Sequence, residues 1–435
     1  MSKLPENRSE AIFQDFKKPY NKTQAMVEAN RCLYCFDAPC IKACPTSIDI
    51  PTFIRRIAND NTKGAAKTIF DSNILGMSCA RVCPVEVLCV GDCVYNREDV
   101  PPIQIGKLQR YATDAAFEKG WQFYEAGEDT GKKVALIGGG PASLAAAHRL
   151  RRFGHSVTIF ERADTLGGLN TTGVAPYKMR ADKSLEEVQW ILSIGGIEVK
   201  TGVDVPNDIS WDALRSEYDA LFIGFGLGRD RYMSGPNADA DGIYGAVDYI
   251  DKLKTGTVDV SSVQNAVVVG GGNTAIDAVR ELLGLGIPSV TMVYRGDEDK
   301  MSGYIHEWVE AKKENAKASW RTQPIGFLAE NGKVSGLTCL QMDENKKEME
   351  GSEFNIPADL VLLAIGQGKQ GDLAASLSGL EIEWGKIVVD QNGATGCEGV
   401  FAGGDCINGG KEVVNAAADG KVAAEAIHTY LTKLS

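Results

Sequence analysis

Eight of the 11 cysteines fall between Cys32 and Cys93, in two runs. The first is Cys32-x2-Cys35-x4-Cys40-x3-Cys44-Pro45 and the second is Cys79-x3-Cys83-Pro84-x4-Cys89-x3-Cys93. Soft thiolates this closely spaced, with two Cys-Pro steps, have the donor chemistry and run pattern of iron–sulfur cubanes, which need about four ligands each. Two [4Fe–4S] clusters are the natural reading. A pair of structural zinc sites, which also use CxxC pairs, is the alternative. Spacing alone does not say which cysteine serves which cluster.

Two glycine turns could hold dinucleotides. Gly138-x-Gly140-x-x-Ser143 follows the apolar run Val134 to Ile137 and opens a helix-like stretch. Its glycines let the backbone approach a pyrophosphate that the helix N-terminus stabilises. Glu161 lies 23 residues after Gly138, where a carboxylate accepts adenosine ribose hydroxyls. Ser143 stands where Gly or Ala is usual and is expected to loosen helix–strand packing. Gly167-Gly168-Leu169 and a remote Gly404-Asp405 ahead of a helix-like Val413 to Leu431 point to FAD at this turn, with a flavin domain split in sequence. Asp405 also reads as a simple helix cap. The second turn, Gly270-x-Gly272-x-x-Ala275, ends its next strand in Arg295 instead of an acid. That arginine can pair with a 2′-phosphate, whereas Asp297 and Glu298 behind it weaken the pairing, so NADP and NAD both remain open.

The segment after Gly168 carries no cysteine, and Cys339, Cys397 and Cys406 are unpaired in spacing, so electrons are not expected to leave through a dithiol. The four histidines are scattered and read as packing or surface residues.

These sites need elements to hold them. Lys132 to Arg162 and Asn265 to Arg295 are a weak internal repeat of strand, glycine turn, helix and strand, each the size of one βαβ unit. The fold expected is α/β, with two Rossmann-like dinucleotide-binding domains behind an all-α iron–sulfur domain. Boundaries read at 1–125 for the helical domain, 132–245 plus 366–435 for the FAD domain and 246–365 for the NAD(P) domain, with Gly120 to Lys132 as a polar linker. The formal charge of −12 argues against nucleic acid or an anionic membrane as partner. No run reaches the ~20 apolar residues of a membrane span and no signal-peptide core is present, so a cytoplasmic protein is expected.

The segments CLYCFDAPCIKACPTSIDIPTFI, GAAKTIF, LGMSCARVCPVEVLCVGDC and IGKLQRYATD resemble the glutamate-synthase small-subunit-like flavoproteins. Among these they are most similar to the electron-input half of dihydropyrimidine dehydrogenase, over nearly the whole chain. The resemblance implies an adrenodoxin- or glutathione-reductase-like FAD/NAD(P) module behind two clusters. It implies Cys32, Cys35, Cys40 and Cys93 on one cluster, and Cys44, Cys83, Cys89 and Gln109 on the other, with Cys79 unliganded. It implies FAD contacts at Gly138, Gly140, Pro141, Ala142, Ser143 and Leu144, and at Glu161, Arg162, Gly167, Gly168 and Leu169. Further FAD contacts are implied at Lys178, Val205, Gly404, Asp405, Glu412, Val413 and Val414. Nucleotide contacts are implied at Gly271, Gly272, Asn273, Thr274, Arg295, Ala364, Ile365 and Gly366. Relatives using NADP carry a second basic residue after the arginine; here it is Gly296, which favours NAD(H). A separate FMN- and iron–sulfur-bearing subunit that reduces uracil or thymine is the implied partner. The small subunit of glutamate synthase, an NAD(P)H:ferredoxin-type oxidoreductase, and a redox-sensing scaffold without turnover are the alternatives.

Overall fold

The computed structural model describes residues 4–433; residues 1–3 and 434–435, the outer ends of the helical and flavin domains as read above, lie outside the description. The first 120 residues form helices and short turns and contain no strand among the described residues. Three of the helices begin on side-chain caps visible in the sequence: Asn21 on Gln24, Asp49 on Thr52 and Asn61 on Gly64. The helix Gly76–Val82 carries Cys79, and Ile105–Glu118 lies against it.

Fifteen strands follow among the described residues: β1 (Lys133–Ile137), β2 (Ser156–Glu161), β3 (Ile197–Thr201), β4 (Ala220–Ile223), β5 (Ile243–Gly245), β6 (Asn265–Val269), β7 (Ser289–Val293), β8 (Lys317–Ser319), β9 (Thr322–Glu330), β10 (Lys333–Gln341), β11 (Phe354–Pro357), β12 (Leu360–Leu363), β13 (Ile382–Glu383), β14 (Lys386–Ile387) and β15 (Val400–Ala402). They build two five-stranded parallel sheets, β15-β4-β1-β2-β3 and β5-β12-β6-β7-β8. An antiparallel sheet β11-β10-β9 and the hairpin β13-β14 complete the strands. The C-terminal strand β15 pairs with β4, so the first sheet is assembled from both ends of the α/β region. Parallel strands with helices on their faces are buried on both sides, hence the unbroken apolar runs Leu136–Ile137 and Val267–Val269.

The structure moves two of the expected boundaries. β5 pairs with β12, so the chain enters the second sheet at Ile243 and not at residue 246. The stretch expected to be a polar linker is packed: Trp190 Nε1 donates to the Trp121 carbonyl at 2.9 Å, and Phe123 sits in a ring cluster with Phe70 and Trp190, whose centroids are 4.5 Å apart. Aromatic burial on this scale overrides the composition of the segment. One core runs from Phe53 and Ile69 in the helical unit through Val188 to Leu136 and Ile427 at the first sheet.

Candidate functional site

The first glycine turn sits at the carboxyl ends of β1 and β4. Gly138 has φ +97°, and a Cβ there would lie 2.6 Å from the Gly224 carbonyl oxygen, so both conformation and space require glycine. Gly140 and Gly168 face each other closely: a Cβ on Gly168 would lie 3.0 Å from the Gly140 Cα. Pro141 opens the helix Pro141–Arg152 at its first turn. The Glu161 carboxylate accepts from the Gly139 and Ala163 backbone N–H groups at 2.6 and 2.7 Å, fixing it at the end of β2. Ser143 is fully buried, and its Oγ has no partner. Its expected loosening of the packing does not occur, because Gly224 opposite it has no side chain; a Cβ there would lie 2.4 Å from that oxygen.

This turn opens into a cleft of about 350 Å³ whose walls come from three parts of the chain. The first sheet contributes Gly138, Gly140, Pro141, Ala142, Glu161, Gly168, Leu169 and Lys178, joined by Gly404, Asp405, Glu412 and Val413. The second sheet's side contributes Asn273, Asp277, Tyr304 and Glu307. The helical unit contributes Val82 and Pro84, the two neighbours of Cys83. Other expected flavin contacts sit behind this surface. Ser143, Leu144, Gly167 and Val414 are buried supports, Arg162 is exposed past β2, and Val205 is buried with Phe160 and Trp211. Asp405 lines the cleft while accepting from the Lys411 N–H, and burial raises its carboxyl.

A buried ionic group crosses the cleft. Lys178 Nζ lies 2.9 Å from Asp277 Oδ1 and 2.8 Å from Glu307 Oε2, and the Tyr177 hydroxyl donates to Asp277. Burial works against the lysine's charge, but Asp277 and Glu307 outweigh it and raise the pKa, so the ammonium is charged throughout the neutral range. The Tyr304 hydroxyl donates to Glu412 at 2.8 Å, and Asn273 Oδ1 accepts from the Tyr304 N–H at 2.8 Å.

The second turn lies at the carboxyl ends of β6 and β12, where a Cβ on Gly270 would come 2.4 Å from the Ala364 carbonyl oxygen. Ala364, Ile365 and Gly366 therefore flank Gly271, Gly272, Asn273 and Thr274, and of these seven Asn273 alone lines the common cleft. Arg295 is exposed just past β7.

One pocket mixes cysteines from the two sequence runs. Cys32, Cys35, Cys40 and Cys93 line one apolar pocket, and burial with their mutual repulsion pushes the Cys40 thiol up to about 12. Cys89 lies near Cys83, Cys44 and Cys40, and burial pushes its thiol up as well. A pocket lined by four cysteines offers the soft donor set that an iron–sulfur cluster takes. Cys79 is buried beside Cys83, and its sulfur accepts from Asn73 Nδ2 at 3.0 Å. Gln109 donates Nε2 to the Gly76 carbonyl at 2.8 Å. Cys339, Cys397 and Cys406 are free and buried, and none of them lines the cleft.

Several cleft residues escaped the sequence. Asp277 is four residues after Asn273 on the same helix face, a spacing that could have flagged it. Tyr304, Glu307 and Val82 had no such signal, nor did Lys17, whose ammonium donates to the Cys83 carbonyl at 3.0 Å; Pro84 was marked only as part of a Cys-Pro step.

A parallel-sheet pair with facing glycine turns and a thiol-rich helical unit defines an iron–sulfur flavoprotein of the two-dinucleotide type. Residues 132–420 match the pyridine nucleotide-disulphide oxidoreductase family, and the chain belongs to it. Residues 8–121 match the family described as dihydropyrimidine dehydrogenase domain II, 4Fe-4S cluster. The chain is 34% identical to the glutamate synthase [NADPH] small chain of Escherichia coli, over 96% of this chain and 94% of that one. It is 35% identical to the NAD-dependent dihydropyrimidine dehydrogenase subunit PreT of the same organism, over 94% of each. Among solved structures, thioredoxin reductase of T. acidophilum shares the fold with a TM-score of 0.56 at 22% identity, covering 70% of this chain and 100% of that one. The protein is thus an NAD(P)-dependent oxidoreductase of FAD and 4Fe-4S type, with the α/β fold and the cofactors expected from the sequence. No helix of the described residues is long and apolar enough to cross a membrane.

Proposed function

We propose that this chain is the electron-input subunit of a dihydropyrimidine dehydrogenase. It would take reducing equivalents from NADH or NADPH and deliver them through two [4Fe–4S] clusters to an FMN- and iron–sulfur-bearing partner that reduces uracil or thymine in the cytoplasm. The supporting observation is the cleft where the glycine cradle, Asn273 with Glu307, and the Val82–Pro84 stretch around Cys83 meet. When bound, FAD accepts a hydride from the nicotinamide and the clusters pass its electrons on singly. The facing glycines give a pyrophosphate close access to backbone N–H groups, and Glu161 is held where a ribose would need an acceptor. Lys178 keeps a fixed positive charge in the cleft, and Tyr304 with Glu412 ties its two sides together.

For the cages, Cys32, Cys35, Cys40 and Cys93 would hold one cluster, and Cys44, Cys83, Cys89 and the Gln109 oxygen the other. The Gln109 amide nitrogen is committed to Gly76, which leaves its oxygen as the ligating end. Cys79 has a donor in Asn73 and would stay off the iron. The match of residues 8–121 and the likeness to PreT favour pyrimidine reduction; the equal likeness to a glutamate synthase small chain gives the second reading, in which the partner is a synthase large subunit. Anaerobic purification with the native partner, followed by assays with uracil, thymine and glutamine plus 2-oxoglutarate, tests both. Nucleotide-dependent reduction of uracil or thymine is expected. Turnover of glutamine and 2-oxoglutarate alone would establish the second reading instead.

A further inference from the structure

The segment 169–179 forms much of the cleft wall: Leu169, Asn170, Thr172, Gly173, Val174 and Lys178 all line it. It opens on the short helix Leu169–Thr172 and runs through turns to the helix Ala181–Leu192. Turn backbone packed away from water needs partners for its carbonyls. Three of those partners belong to one side chain. Lys254 Nζ donates to the Asn170 carbonyl at 3.1 Å, the Val174 carbonyl at 2.7 Å and the Met179 carbonyl at 3.0 Å. An ammonium has three donors, and here all three are used.

The lysine comes from the other unit. It sits in the last turn of the helix Ala246–Thr255, whose Ala246 and Tyr249 pack with Ala266 and Val268 of the second sheet. It is fully buried, whereas Lys252 in the same turn is exposed. Burying an ammonium is costly unless a carboxylate pairs with it, yet none does. Four acids face it from its own and neighbouring elements: Glu10, Glu281, Asp251 and Asp182. Glu10 is held by Arg8 and the Ala181 N–H, Asp251 accepts from Thr255, and Asp182 accepts from Arg180. Glu281, on the helix Asn273–Gly284, has no hydrogen-bond partner for either oxygen. A buried cation committed wholly to the backbone of one segment fixes the course of that segment. Its bonds to Val174 and Met179 bracket Tyr177 and Lys178, whose side chains meet Asp277 and Glu307 in the cleft.

We propose that Lys254 is a positioning residue for hydride transfer: from the nicotinamide unit it staples the segment 169–179 and so places Lys178 in the cleft. The inference rests on the cleft being the one that holds the flavin, as proposed above. Lys178 keeps its charge through Asp277 and Glu307, and Lys254 sets where that charge stands. A displacement of about 1 Å near reacting atoms can cost about a hundredfold in rate. Burial lowers the Lys254 pKa to about 8, against the opposing pull of the four acids. Mild alkali therefore leaves two donors for three carbonyls, while the raised pKa of Lys178 keeps that residue charged.

Stopped-flow reduction of the full, anaerobically prepared chain by NADH and by NADPH, read as bleaching of the flavin, tests this. Lys254→Met and Lys178→Met should each slow the transfer by about tenfold or more at unchanged iron content. The double variant should be within about twofold of Lys178→Met, because one residue acts through the other. Lys252→Met, at the exposed position, should match the parent. Losses that multiply in the double variant would overturn the inference, as would a parent-like rate in Lys254→Met. Where Lys254→Met fails to fold or to keep its flavin, a pH series decides. The parent rate should fall as pH rises through about 8, and Lys178→Met should show no such fall. A parent rate that stays flat across that range, or the same fall in Lys178→Met, would overturn the inference and leave the flavin cleft in place. A parent chain whose flavin neither nucleotide bleaches would overturn the reading of the cleft together with this inference.

Discussion

Cys79 and Gln109 compete for the same role beside Cys83. The family resemblance gives it to Gln109, whose amide nitrogen is engaged by Gly76 and whose oxygen is left to offer, while the Cys79 sulfur accepts from Asn73. Cys79→Ser should therefore keep the iron content near that of the unaltered protein, and Gln109→Ala should lose about half of it. Iron analysis after anaerobic purification checks both, and the reverse pattern would make Cys79 the ligand. Glu187 is a second residue whose burial sets its chemistry. Its carboxylate accepts from the Met77 N–H at 2.8 Å and from Ser78, capping the helix that carries Cys79. Full burial outweighs those bonds and raises its pKa from 4.5 to about 7. The folded protein therefore holds a proton there that the unfolded chain releases between these values. The stabilisation is complete below pH 4.5 and lost as pH rises through 7, with an upper size of about 3 kcal/mol. Glu187→Gln should remove that pH dependence: the stability difference between variant and parent in denaturant titrations should drift in the variant's favour from pH 5 to 7.5. A difference constant with pH would show that Glu187 stays ionised.

At the scale of elements, the packing of the helix Val413–Lys433 on Pro141–Arg152 shapes the flavin cleft. A Cβ at Gly420 would lie 2.0 Å from the Ala142 carbonyl oxygen, and Ala142 itself lines the cleft. Gly420→Ala should push the helices apart, lower stability by about 1–3 kcal/mol and reduce the FAD retained through gel filtration. Val422→Ala, at a position facing outward, serves as the control and should retain its flavin. The elements themselves were legible: strand, glycine turn and helix announce a βαβ unit because each is dictated by local spacing and by the backbone freedom of glycine. The remote Gly404-Asp405 was legible for the same reason and does line the cleft. The packed segment Trp121 to Tyr124 was not, because its polar and glycine neighbours mask rings that find their partners at Phe70 and Trp190, far away in sequence. Ser143 was misread for a related reason: whether a side chain fits depends on what stands opposite, and Gly224 is 81 residues downstream.

For the whole molecule, the residues ahead of the first cysteine act as a strap across all three units. The Ser9 N–H donates to the Gly256 carbonyl beside the second sheet, and Glu10 accepts from the Ala181 N–H at 2.8 Å beside the first. Lys17 then reaches the Cys83 carbonyl. None of this could be read from a sequence in which residues 9–17 look like an ordinary polar stretch, since the bonds span from 66 to 247 positions of chain. Burial lowers the Lys17 pKa, and Glu86 and the Cys83 thiol oppose that shift. An ammonium held 3.0 Å from the backbone of a proposed ligand stabilises the more negative, reduced state of whatever iron centre Cys83 binds. Lys17→Met keeps the aliphatic packing and removes the charge, so the midpoint potential of one cluster should fall by some tens of millivolts, with the other unmoved. Redox titration followed by electron paramagnetic resonance distinguishes the two signals. If both potentials stay where they are while iron and flavin contents are unchanged, Lys17 is a strut, and the strap holds the units together without tuning the electron path between them.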